Sequence, residues 1–177
     1  MIMAPEFSRP ARLDTLPSVA KPMTVEASAE ERAALAARFD LVAIDRLAAT
    51  LTLQRDGETV TAKGRMEAEV TQSCVATGVP IPAHVAEDFT ILFRPEPQDG
   101  APDEEIELSE AECDVVFYEG AMIDIGEAVA ETLSLNLDPW PRAPGAEDAL
   151  RAAGVKSEEE AKRESSPFAG LAALKKK

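Results

Sequence analysis

Leu47-Ala48-Ala49-Thr50-Leu51-Thr52-Leu53-Gln54-Arg55-Asp56-Gly57-Glu58-Thr59-Val60-Thr61-Ala62-Lys63-Gly64-Arg65-Met66-Glu67-Ala68-Glu69-Val70 is the stretch on which the fold turns. Leu47, Ala49, Leu51 and Leu53 alternate with Ala48, Thr50, Thr52 and Gln54, a period of two that marks a strand with one buried face. Asp56-Gly57 then supplies residues that accept positive φ, as a hairpin turn requires. A return strand follows from Thr59 across Gly64, with Met66, Ala68 and Val70 facing one way and Glu67, Glu69 and Thr71 the other. The pairing is expected to be antiparallel.

Downstream, Cys74-Val75-Ala76-Thr77-Gly78 with Pro80 and Pro82 reads as a turn-like interruption. Phe89, Ile91 and Phe93 against Asp88, Thr90 and Leu92 give a further strand, and Cys113-Asp114-Val115-Val116-Phe117-Tyr118 is compatible with one more. Residues 95 to 112 hold eight carboxylates and no Lys or Arg, a composition expected of an exposed acidic loop. Asp124, with Glu127 three residues on, caps a helix in which Ile125, Val129 and Leu133 recur at intervals of four, and Asp138-Pro139-Trp140-Pro141-Arg142 ends it.

Upstream, Ser28-Ala29-Glu30-Glu31 is a capping box that opens a helix to Phe39, with Leu35 and Phe39 on its apolar face. Pro17 and Pro22 punctuate the loop before it, and Glu6 to Leu13 reads as an edge strand or a docked arm. The expected fold is α+β, a curled antiparallel sheet or partly open barrel flanked by a few short helices, with a flexible acidic loop and a C-terminal tail. Residues 1–142 are expected to form one domain and 143–177 a polar tail ending in a short amphipathic helix. In that helix Ser166 is the N-cap, Pro167 the first helical residue, and Phe168, Leu171 and Leu174 share a face. The final lysines complement its dipole.

The 177 residues suit one ordinary domain with tails, and the eight aromatic residues imply a modest core built mainly from Val, Leu, Ile and Phe. With 33 acidic against 18 basic residues the formal charge is -15, a field that repels phosphate backbones and attracts basic partners. Two cysteines, Cys74 and Cys113, are too few for a disulfide scaffold and fit a reducing cytoplasm. No secretory leader or bilayer-spanning run is apparent, so the expected location is cytoplasmic, with no membrane association.

Chemistry is sparsely encoded. His84 is the single histidine and reads as an ordinary surface or half-buried imidazole. Neither cysteine has a second thiol at short spacing, and no phosphate-binding loop occurs. No catalytic residue, metal site, cofactor or small-molecule substrate is expected. The most specific feature is the closing segment, whose Pro167, Phe168, Leu171, Leu174, Lys175 and Lys176 would meet either a partner's groove or the chain's own domain.

Several of these features together resemble the YceD family, the large ribosomal RNA subunit accumulation proteins. They are Thr71-Gln72-Ser73-Cys74-Val75-Ala76-Thr77, Ile123-Asp124-Ile125-Gly126-Glu127 with Glu131-Thr132-Leu133-Ser134-Leu135, the proline-bearing exit after Asp138, and Ser166-Pro167-Phe168-Ala169-Gly170-Leu171-Ala172-Ala173-Leu174-Lys175-Lys176. The family residues quoted are Cys74, Asp124 and Glu127. The resemblance implies a bacterial cytoplasmic protein, with plastid relatives in plants, needed for accumulation or processing of large-subunit rRNA. It supplies no catalytic site. Many relatives carry Cys-x-x-Cys where this chain has Cys74 followed by Thr77.

The leading expectation is a non-enzymatic ribosome-biogenesis factor that binds a basic ribosomal or rRNA-processing protein, with precursor 23S rRNA as a further candidate partner. The alternative is direct rRNA binding through Arg9, Arg12, Arg46, Arg55, Lys63 and Arg65. A third class, a metal-dependent nuclease or hydrolase, would need a carboxylate constellation that the sequence does not display.

Overall fold

A computed structural model describes residues 5–96, 114–156 and 161–162. The elements in order are β1 (Pro10–Arg12), β2 (Lys21–Glu26), α1 (Ala29–Arg38), β3 (Ala43–Asp56), β4 (Thr59–Ser73), β5 (Pro80–Pro95), β6 (Asp114–Tyr118), β7 (Met122–Asp124), α2 (Ile125–Leu135) and α3 (Ala146–Ala152). The described chain divides into two compact units. The larger comprises the segments up to Gln72 and from Pro82 to Pro139; the smaller comprises Ser73–Ile81 and the chain from Trp140.

In the larger unit β3 and β4 form the antiparallel hairpin expected, from Asp56↔Thr59 at the turn to Ala43↔Thr71 at the far end, with a register shift between Ile44 and Arg46. The positive φ of the turn falls on Gly57, at 60°. Leu47, Ala49, Leu51, Leu53, Met66, Ala68 and Val70 are all buried, as the alternation requires. Gly64 lies opposite Leu51, where a Cβ would run into Leu51 and the Thr50 carbonyl.

The sheet order is β2-β3-β4-β5-β6, with β1 and β7 in a separate two-stranded ribbon. The fold is α+β, and the sheet is open, not closed into a barrel, with β2 and β6 at its opposite edges. The expectation of an antiparallel sheet is corrected at one pair: β6 runs parallel to β5, from Ile91↔Asp114 to Pro95↔Tyr118. Residues 96–113 are long enough for the crossover that a parallel neighbour requires.

The prolines also behave differently from expectation. Pro22 lies within β2 rather than in a loop, and Pro80 and Pro82 lie within β5, which begins well before Phe89. An edge strand or a strand start needs fewer N–H donors than an internal strand, so proline is tolerated there.

The core joins the inner sheet face to α1 and α2. Phe89, Ile91 and Phe93 from β5 cluster with Leu35 of α1, Ile125, Val129 and Leu133 of α2, and Phe7 of the N-terminal arm. The α1 capping box is present in both directions, and the helix ends with Asp40 in left-handed geometry at φ 55° and Leu41 N–H donating to the Ala36 carbonyl. This is the usual way of closing off a helix C-terminus, with aspartate in the place glycine more often takes. In the smaller unit, α3 occupies part of the stretch expected to be polar tail. The acidic segment from Pro97 to Glu112, with Cys113, and the closing segment with Pro167, Phe168, Leu171, Leu174, Lys175 and Lys176 lie outside the described residues.

Candidate functional site

The residues quoted as family motif do structural work that their spacing only half reveals. Asp124 caps α2 by accepting the N–H groups of Gly126 and Glu127 at 3.0 and 3.2 Å. The same carboxylate accepts the Arg9 N–H at 2.8 Å and the Ser8 hydroxyl at 2.5 Å. One side chain therefore starts a helix and fastens the N-terminal arm to it. The Ile125 N–H, donating to the Arg9 carbonyl at 3.1 Å, extends the attachment beyond the β1–β7 pairing.

Glu127 takes another route. Its carboxylate meets Arg38 of α1 at 2.8 Å, and Arg38 also reaches Glu6 in the arm at 3.0 Å. Glu127 first, and Glu6 with it, hold the Arg38 guanidinium above its ordinary pKa against the opposing effect of burial. Gly126 completes the arrangement, because a Cβ there would strike the Phe7 carbonyl and the Arg9 backbone. Phe7 itself is 0% exposed. Ser8, Arg38 and Gly126 were not singled out as site residues from sequence; a glycine in the first turn of a helix, where it carries an entropic cost, was the available signal.

Arg9 makes a two-pronged contact with Glu31, at 2.6 and 2.9 Å, donates to the Ser8 and Glu26 carbonyls, and lies 4.6 Å from the centre of the Phe7 ring. Hydrogen bonding from Arg9, aided by the Ser28 N–H, lowers the Glu31 carboxyl to about 2. Its folded pKa lies below the unfolded value, so the stabilisation is present above about pH 4.5 and disappears as pH falls toward 2. With the side chains 34% and 22% exposed, solvent screening reduces the contribution. About 1 kcal/mol is the expected size. Glu31→Gln should lower the urea midpoint at pH 7 and leave it nearly unchanged at pH 2; an equal loss at both would exclude the ion pair as its source.

The five arginines among the basic candidates turn out to be engaged within the chain. Arg12 pairs with Asp14, Arg46 with Glu67, and Arg65 with Asp88 and Glu67. Arg55 donates to the Gly57 and Leu13 carbonyls. Lys63 is exposed and has no ion pair among the described residues. His84 is an exposed residue whose Nδ1 lies 2.8 Å from Glu69.

In the smaller unit Cys74 opens a tight knuckle. The Gly78 N–H donates to the Cys74 carbonyl, the Cys74 N–H donates to the Val79 carbonyl, and Gly78 has φ 71°. The sulfur is buried and accepts the Ala143 N–H at 3.3 Å. That bond, then the Thr77 hydroxyl and the N–H groups of Ala76 and Thr77, lower the thiol to about 7. Thr77 thus serves Cys74 as a hydrogen-bond partner. Among the described residues no group of three or more His, Cys, Asp or Glu is placed to hold a metal ion.

The fold and these contacts define an α+β protein whose motif residues fasten chain segments together. The family model described as large ribosomal RNA subunit accumulation protein YceD matches residues 62–175, and the chain belongs to that family. No curated protein matches the chain, and no solved structure does. The matched span begins inside β4, so the arm, β2, α1 and β3 precede it. Among the described residues no helix is long and apolar enough to cross a membrane.

Proposed function

We propose that this protein supports the accumulation or processing of large-subunit 23S rRNA as a non-enzymatic cytoplasmic factor, and does so by binding a basic ribosomal or rRNA-processing protein. The family supports the process. One observation favours a basic protein over bare RNA: all five candidate arginines are committed to internal carboxylates or carbonyls in a chain of formal charge -15. Phosphate would have to displace those partners against the average field, whereas a cationic surface meets carboxylates in excess. The closing segment, with Phe168, Leu171 and Leu174 and then Lys175 and Lys176, is proposed as a second contact, an apolar helix face laid into a groove.

The test is purification of the tagged protein from its own cells at low salt, with and without residues 166–177, before and after nuclease treatment. Basic ribosomal or processing proteins that survive nuclease and are lost on truncation are the expected result. Recovery of precursor 23S rRNA alone, lost at moderate salt, would favour the direct-RNA reading instead. A deletion strain with unchanged precursor and mature 23S rRNA would remove both.

A further inference from the structure

The two edges of the five-stranded sheet differ sharply in how they are protected. At one edge, β2 carries Lys21 and Pro22, residues that discourage another strand from pairing there. At the other, β6 reads Asp114-Val115-Val116-Phe117-Tyr118, with neither lysine nor proline. Its polarity can be worked out from a single bond. The Glu96 N–H donates to the Tyr118 carbonyl at 3.1 Å, so the backbone groups of Tyr118 face β5. Because the N–H and C=O of successive strand residues alternate in direction, Val116 and Asp114 face β5 as well, and Val115 and Phe117 direct theirs away from it.

Side chains alternate in the same way. Tyr118 is buried and Val116 packs against the core, whereas Phe117 is 53% exposed. Among the described residues no strand pairs with this outer edge. The electrostatic setting is acidic. Asp114 opens the strand and Glu119 follows it, and the Glu96 carboxyl is raised above its ordinary pKa by a hydrogen bond to Glu119 and by that residue's charge. Carboxyl groups at one end of an edge that no described strand covers favour a cation beside them.

We propose that β6 is a docking edge for an extended, basic segment of a partner protein, which adds to the sheet as a sixth strand. The added strand bonds to the N–H and C=O groups of Val115 and Phe117, an apolar side chain covers the Phe117 ring, and a lysine or arginine lies beside Glu96 and Glu119. The inference rests on the basic-partner reading given above and assigns that partner a conformation and a place.

A synthetic decapeptide of alternating lysine and valine serves as probe, with the full-length protein and backbone amide exchange read by NMR. The expected result is that the peptide slows exchange at Val115 and Phe117. Phe117→Pro, which removes an outward N–H without touching the β5 pairing, should weaken binding roughly tenfold, the equivalent of one lost backbone hydrogen bond. Phe117→Thr keeps that N–H and should keep most of the binding, while circular dichroism checks that both variants fold. If Phe117→Pro fails to fold, the wild-type amide exchange decides alone.

Peptide binding that leaves those amides unchanged, or amides already protected in the free chain, would overturn the proposed edge and leave the basic-partner reading intact. Absence of peptide binding at low ionic strength would also overturn it. A purification from cells that returns no basic protein, alongside clear protection by the peptide, would sink the partner reading and spare the edge.

Discussion

Gly126→Ala is expected to destabilise the protein by about 3 kcal/mol, although glycine to alanine inside a helix ordinarily stabilises by about 1 kcal/mol. The reversal comes from the arm. A Cβ at 126 would collide with the Phe7 carbonyl and the Arg9 backbone, so the arm must lift, and Phe7 leaves a site where it is 0% exposed. Removing a buried phenylalanine costs about 3–5 kcal/mol, of which the better helix propensity of alanine returns a part. For a chain of this length the melting temperature should fall by about 6–12 °C. Thermal unfolding followed by circular dichroism reads the loss, and trypsin should cut faster at Arg12, whose next residue is Leu13. The double variant with Phe7→Ala should be little worse than either single one, because each removes the same docking. A variant as stable as the wild type would show that the arm does not run over Gly126.

Asp124→Ala should cost a comparable amount, about 3 kcal/mol, for a different reason. Loss of an N-cap side chain alone costs about 0.5–2 kcal/mol. Here the Ser8 hydroxyl and the Arg9 N–H lose their acceptor as well, at about 1 kcal/mol each for part-buried donors. Asp124→Asn retains a carbonyl oxygen for the Gly126 and Glu127 N–H groups and should lose about 1 kcal/mol. Urea denaturation of the three proteins checks the order. Equal losses for alanine and asparagine would mean that the carboxylate, and not an oxygen in that position, carries the contact.

Local pattern and long-range contact separate cleanly in what the sequence disclosed. The β3–β4 hairpin was legible because its alternation is sustained on both sides of the turn, past the register shift between Ile44 and Arg46, and each buried residue there is set by its immediate neighbours. The α1 capping box was legible for the same reason. Pro22, Pro80 and Pro82 misled because proline excludes a ladder donor, not a strand, and whether a strand lies at an edge is decided by its neighbours. The parallel placement of β6 depends on how 96–113 returns the chain, which no period within Asp114–Tyr118 encodes.

The candidate site follows the same division. That Asp124 caps a helix could be read from Asp124 to Leu133, but its hold on Ser8 joins residues 116 apart in sequence. Cys74 likewise owes its low thiol pKa first to Ala143, 69 residues away. The commitment of Arg46 to Glu67 and of Arg65 to Asp88 became visible only once strand register set those side chains beside one another.

The fastening of Ser8 by Asp124 also sets an order of events during synthesis. At a translation speed of about 5–20 residues per second, the arm emerges on the order of ten seconds before the carboxylate that receives it. The residues that pair in the β3–β4 hairpin, closed by a two-residue turn, are all made before Asp124. The hold of Asp124 on the arm can therefore form only after both strands of the hairpin have been synthesised.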